Sequence, residues 1–314
     1  MHVMLSHIVR GFRFGSLLSL SLLAAGWAVP AIAQVKLEHK FVDGRKTVMH
    51  TTMKVKQTLT LAGMAQETES ERFSISTDQA GKRGADGKLR IEKRTDKLSV
   101  NLKIQGIEVT FDSDDPNKKA ENPLLEPLVQ VLRASAKVKP VLVRDPSGKV
   151  VAVEGMDKLA EEVPEAVRGD ADPEKIKKAA NQELETLPGE AIKPGATWSK
   201  NSEMSLGGGQ TMSLTTDFKY IGEVEVGGKK LDKIEATTTK ISLTIENNPM
   251  VKLTKCELKP TETSSIMLFD REAGEWQSTK GKTRVQGVLD LEVNGMAFPG
   301  KLDLTIETEA VRQP

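Results

Sequence analysis

The chain is poor in the side chains that carry chemistry. It holds one cysteine, four histidines and one tyrosine among 314 residues, and its aromatic share is 4%. A single thiol, Cys256, rules out an internal disulfide, so stability has to come from the core. A core short of rings rests on Val, Ile, Leu and Met. His2 and His7 lie in an N-terminal segment that reads as a leader, which leaves His39 and His50, each on an expected strand. These are too few for a zinc site, and lying about 200 residues upstream they are thin support for Cys256 as a nucleophile. Neither G-x-S-x-G nor H-E-x-x-H occurs. Residues 274–283, GEWQSTKGKT, miss the phosphate-loop spacing, and a strand follows them where a helix is needed. Asp112, Asp114 and Asp115 fail the calcium-loop pattern because Pro116 takes a ligand position. No catalytic residue, metal ligand or cofactor motif is assigned, and the expectation is a protein that is not an enzyme.

Charge of one sign is also missing. The formal net charge is +1. Taking the two leader arginines, Arg10 and Arg13, from the 45 basic residues leaves 43 against 44 acidic ones. Nothing here draws the chain to nucleic acid by net charge. The leader itself is a basic start, an apolar stretch over residues 17–29 and a small-residue A-x-A ending at Ala33. Export with cleavage follows, to the periplasm or beyond. The uncharged run over residues 14–35 is also long enough to stay as a membrane anchor.

What the chain does have is alternation. Over residues 98–113 apolar side chains sit at Leu98, Val100, Leu102 and Ile104, then at Ile107, Val109 and Phe111. The phase flips across Gln105-Gly106, which predicts a two-residue turn pairing Ile104 with Ile107, Leu102 with Val109 and Val100 with Phe111. A lone hairpin is marginal in water, so it belongs to a larger sheet. The same pattern recurs. Residues 49–61 and 66–77 read as long strands about a turn at Gly63-Met64. Gly227-Gly228 joins residues 212–226 to 229–245. Residues 251–258 and 266–270 read as two further strands. Asn294-Gly295, the strongest short hairpin signal, pairs Val293 with Met296, Leu291 with Phe298 and Val285 with Leu304.

Helical spacing appears only in the middle. Leu124, Leu125, Leu128, Val129 and Leu132 form one stripe, Met156, Leu159, Ala160, Val163 and Val167 a second, and Ile176, Ala180, Leu184 and Leu187 a third. Between the first two, Asp145-Pro146-Ser147-Gly148 is a turn tetrapeptide. The expected fold is α+β: long antiparallel strands in a curved sheet or open half-barrel, with two or three helices over one face. Residues 1–33 are the signal peptide. Residues 34–314 form a single extended β-rich domain, with a helical insert near 156–187 as its possible seam.

Several segments resemble a family of exported bacterial proteins of planctomycete type, a domain of unknown function. They are Lys36-Leu37 and Gly44, TTMKVKQTLTLAGM at 51–64, G-x-x-V-x-F-D-S at 106–113, VVAVEG at 150–155, LPGEAIKPGATW at 187–198 and IMLFDREAGEWQS at 266–278. The resemblance implies export and assigns no site. Long strands crossed by helices are also similar in architecture to the half-barrels of periplasmic lipoprotein carriers, a likeness of fold that does not license function. The expected role is a non-catalytic envelope protein holding a lipid, lipoprotein or other apolar ligand between sheet and helices. The candidate surface is Val100, Leu102, Val109 and Phe111 from one hairpin with Leu289, Leu291 and Phe298 from another. The alternative is a structural module that recruits an envelope protein through exposed strand edges.

Overall fold

Two-residue turns with both central residues at positive φ fix the register of the sheet, Gly227-Gly228 at 59° and 77° among them. Ala62-Gly63, Gln105-Gly106 and Asn294-Gly295 hold both central residues at positive φ, 48° and 84°, 49° and 83°, and 50° and 80°. That is the type I′ geometry, whose twist matches that of the flanking strands. They join β2 (Lys46–Leu61) to β3 (Met64–Ala80), β4 (Leu89–Ile104) to β5 (Ile107–Asp112), and β13 (Glu275–Val293) to β14 (Met296–Phe298). The pairs expected across the second and third turns are all present. The first turn lies one residue earlier than Gly63-Met64. Closing at Ala62-Gly63 puts glycine at the second left-handed position and sets Lys56 opposite Glu69 and Lys54 opposite Glu71, both ion-paired. The structure is a computed structural model and describes residues 34–115, 117, 122–156, 172–207, 210–245 and 251–314. The leader falls outside these residues, as does nearly all of the expected helix after Met156.

The remaining strands are β1 (Val35–Lys36), β6 (Val141–Arg144), β7 (Val150–Glu154), β8 (Ala191–Ile192), β9 (Thr197–Gly207), β10 (Gln210–Val226), β11 (Lys229–Ile245), β12 (Val251–Asp270) and β15 (Gly300–Gln313). β1 and β8 pair alone. The others form one antiparallel sheet of thirteen strands in the order β7-β6-β4-β3-β2-β15-β13-β12-β11-β10-β9, with β5 beside β4 and β14 beside β13. The chain walks from β2 out to the β7 edge, crosses to the β9 edge and returns to the centre. There β15 docks on β2, from Gly300 opposite Leu61 to Gln313 opposite Val48. The sheet is not closed by hydrogen bonds: β7 and β9 are its two edges.

Two prolines shape the returning half. Residues 251–270 are one strand rather than two, because a register shift between Pro260 and Glu262 absorbs the missing N–H as a bulge. Pro299 interrupts the strand after β14 for one residue, yet Leu291 opposite Phe298 and Val285 opposite Leu304 keep the same register. Its carbonyl accepts from Ala62 N–H at 3.1 Å, tying the chain to the β2–β3 turn.

Two α-helices are described. A single 3-10 turn (Pro123–Leu125) leads into α1 (Glu126–Lys137), and α2 spans Pro173–Glu185. Asp172 caps α2 by accepting from Glu174 N–H at 2.9 Å, with Pro173 at the first helical position. α1 packs Val129 onto Leu98, Val100, Val109 and Phe111 of the β4–β5 hairpin. α2 lies against both β7 and β9. Two strands at opposite ends of the sheet order meet one helix, so the sheet curls until its edges nearly face each other. A large cluster around Val285, Leu289, Leu302 and Leu304 holds the central strands. A second joins Leu37, Leu187 and Ile192 to Phe218, Tyr220, Ile234 and Phe269.

Candidate functional site

A cavity of about 300 Å³ opens where the curled sheet meets α2 and the segment 39–42. Its apolar wall comes from Phe41, Met49, Ile91, Leu142, Leu184 and Trp276. Strand alternation explains the placement on β6: Leu142 and Arg144 are two residues apart and share a face.

Arg144 is the unusual member, a guanidinium only 6% exposed on that face. Its Nη1 donates to the Gly148 carbonyl at 2.7 Å, and its central carbon lies 4.2 Å from the centre of the Phe41 ring. Its Nε has no hydrogen-bond partner among the described residues. Burial pulls its pKa down, and Glu183 and Asp78 act against that from beyond ion-pairing distance. The turn that carries Gly148 makes this possible. Gly148 has φ +88°, and a Cβ there would stand 2.6 Å from Phe41 Cε2. Only glycine satisfies the turn and lets Phe41 lie over the guanidinium.

His39 also lines the cavity, its ring stacked on Phe41 with centroids 6.3 Å apart. Its ring packs edge-on against Phe269 and Trp276, with centroids 5.6 Å and 6.1 Å away. Its Nε2 is buried without a partner among the described residues. Burial lowers its pKa below the ordinary histidine value, Glu183 and a hydrogen bond with the Gly274 backbone oppose the shift, and Arg144 adds to it. His39 is therefore the neutral imidazole at pH 7.

The acids around the cavity are mostly engaged. Asp78 is paired with Lys93, and Glu275 accepts from Thr47 Oγ1 at 2.9 Å and pairs with Arg45 and Arg312. Arg312 also pairs with Asp270 at 2.7 Å. Glu183 forms no ion pair in the described structure and sits exposed at the mouth. The site thus combines aromatic and aliphatic walls, one buried cation and one neutral imidazole.

The residues named from the sequence lie elsewhere. Val100, Val109 and Phe111 are buried beneath α1, with Leu102 half-buried beside them. Leu289 and Leu291 belong to the central cluster, and Phe298 is half-buried opposite Leu291. None of the seven lines the cavity. Asp112 and Asp114 are held by Lys97. Sequence reasoning missed Arg144; the one signal it offers is an arginine ending the otherwise apolar strand β6, four residues before a turn glycine.

No curated protein matches the sequence. Among solved structures, one of lipovitellin, titled for its lipid–protein interactions, aligns at 9% identity and a TM-score of 0.43, covering 88% of this chain. The chain spans only 26% of that lipovitellin chain. OpdQ of Pseudomonas aeruginosa aligns at 6% identity over 86% of this chain and 99% of its own, with a TM-score of 0.24. A DUF1329 family protein from Desulfovibrio piger aligns at 10% identity over 83% of this chain and 84% of its own, with a TM-score of 0.15. No helix among the described residues is long and apolar enough to cross a membrane. Residues 86–268 match the family of unknown function DUF6263, and the chain belongs to that family.

Proposed function

We propose that this chain is a non-catalytic, exported envelope protein that holds a small ligand with an apolar body in the cavity between sheet, α2 and segment 39–42. The observation that carries this reading is the cavity itself, an enclosure of about 300 Å³ walled by Phe41, Leu142, Leu184 and Trp276. Small-molecule sites run from about 300 to 1,000 Å³ and are mostly apolar with a few placed polar groups. A volume at the low end suits one short chain or ring system rather than a two-chain lipid. The seven hairpin residues serve on this reading as packed core that stiffens the wall. The absence of catalysis is supported by the position of the single thiol: Cys256 is on β12 and packs with the central cluster. Recruitment of a partner by strand addition is less favoured, because side chains of α2 already bond the outer backbone at Val150 of β7 and Glu203 of β9.

Trp276 lines the cavity and makes uptake measurable. A naphthylamine fluorophore is expected to brighten on binding and to accept energy from Trp276. Leu142→Trp is expected to fill the space and block uptake. Protein that stays ligand-free by native mass spectrometry after mild extraction, and that takes up no fluorophore, overturns the reading.

A further inference from the structure

We propose that Arg144 is an anion-binding residue, and that the ligand carries a carboxylate or similar small oxyanion on its apolar body. The inference rests on the ligand-binding reading above and names the chemical class of what that site accepts. A guanidinium carries five N–H donors and stays charged. Withdrawing such a group from water costs several kcal/mol unless a counter-charge and hydrogen bonds replace the solvent. Here the replacements fall short. One bond goes to the Gly148 carbonyl, one face lies on Phe41, and Nε is unpaired. No carboxylate among the described residues reaches ion-pairing distance.

The neighbouring charges do not fill the gap. Asp78 is taken by Lys93, and Glu275 by Arg45 and Arg312. Glu183 faces the same space but stands in solvent at the mouth, where water screens it. Arg144 is the only cation fully buried among the described residues, and the half-buried Arg312 is paired with Asp270 and Glu275. Arg144 is the exception, and it borders an open cavity. An oxyanion entering the cavity takes a charge-assisted bond from the guanidinium. Its apolar body then lies against Trp276, Leu142 and Leu184.

Isothermal titration of the mature protein with octanoate, octanol, octylamine and inorganic phosphate tests this. Octanoate is expected to bind about tenfold or more tighter than octanol, the worth of one hydrogen bond to a charged group. Arg144→Met is expected to erase that difference while octanol still binds. Arg144→Lys, which keeps the charge and loses the fork, is expected to fall between, and it serves if the methionine variant does not fold. Equal binding of octanoate and octanol to the wild type, or a preference for octylamine, overturns the anion site and leaves the apolar cavity standing. Failure of every eight-carbon probe overturns the ligand-binding reading. Phosphate that competes with octanoate at similar concentration supports the anion site and assigns it to free oxyanions rather than acyl ligands.

Discussion

Asn181 on α2 holds both backbone groups of Val150 on β7: its Oδ1 accepts from the Val150 N–H at 2.8 Å, and its Nδ2 donates to the Val150 carbonyl at 3.0 Å. The next residue, Gln182, accepts from the Glu203 N–H of β9 at 3.2 Å. Consecutive amides therefore reach the two opposite edges of the sheet. An edge strand presents unpaired N–H and C=O groups, and a side-chain amide supplies both complements that a neighbouring strand would. α2 has no fully buried side chain, so polar bonds of this kind do much of the docking.

The two contacts differ in burial, and so does their expected worth. Val150 is 1% exposed. Asn181→Leu leaves its two groups unmatched away from water and is expected to cost about 1–3 kcal/mol. Gln182→Ala exposes a partly wet N–H and is expected to cost less than about 1 kcal/mol. Urea denaturation gives both values, and amide exchange at Val150 is expected to speed up only in the first variant. Equal losses would show that the seam is not held through Asn181.

Asp232 is 1% exposed and accepts from the Tyr220 hydroxyl at 2.6 Å and from Arg271 Nε at 2.9 Å. Arg271 reaches partly into solvent. Removing the arginine strands a buried carboxylate, so Arg271→Ala is expected to cost about 3–5 kcal/mol. Tyr220→Phe removes one bond to the charge and is expected to cost about 1.5–3 kcal/mol. Burial first, and the adjacent Asp232 second, push the Tyr220 phenol well above its ordinary pKa. With one tyrosine in the chain, alkaline ultraviolet titration reads it alone. Little tyrosinate is expected at pH about 10, where a free phenol is half ionised.

Local turn chemistry and period-2 alternation made much of the sheet legible. Gln105-Gly106, Gly227-Gly228 and Asn294-Gly295 all reverse strands at the expected residues. The β2–β3 turn was misplaced by one residue because Ala62 carries no turn signal; the ion pairs on Lys54 and Lys56 decide it. β12 read as two strands because Pro260 looks like a stop until a bulge absorbs it. The cavity was illegible for a different reason. It is lined by six strands, a helix and a loop that are distant in sequence, and only the curl of the sheet brings Arg144 and His39 to one space. Alternation reports which residues face inward; it does not say whether that space is packed or open.

Ala62 holds φ 48°, a left-handed conformation that costs a residue with a Cβ about 1–2 kcal/mol. Asparagine tolerates it better, and Asn-Gly is the favoured type I′ pair. Ala62→Asn is expected to stabilise the protein by about 0.5–1 kcal/mol. Thermal unfolding checks this, and a lowered midpoint would contradict the turn type.

His39 ties stability to pH with a definite sign. Its folded pKa lies below the unfolded value, so the unfolded chain takes up the proton first as pH falls. Stability then rises with pH across the window and is lost on acidification from about pH 7.5 to about 5.5. Glu183 and Glu275 soften this slope and Arg144 steepens it. His39→Gln is expected to flatten it, by urea midpoints at both pH values. A variant with the wild-type slope would remove His39 as the source.

Gly148 sets the geometry on which the cavity depends. At φ +88°, and with Phe41 Cε2 only 2.6 Å from where a Cβ would stand, alanine meets both a backbone penalty and a clash. The backbone penalty alone is about 1–2 kcal/mol. Phe41 is the only residue described as stacking on the Arg144 guanidinium, so displacing it exposes that charge to water. Gly148→Ala is therefore expected to lower stability by more than about 2 kcal/mol and to weaken fluorophore uptake together. Gly106→Ala is the control, with φ +83° and open space around its Cβ position. It is expected to carry the backbone penalty and leave uptake unchanged. If both variants lose uptake equally, general destabilisation rather than the Phe41–Arg144 contact governs the cavity.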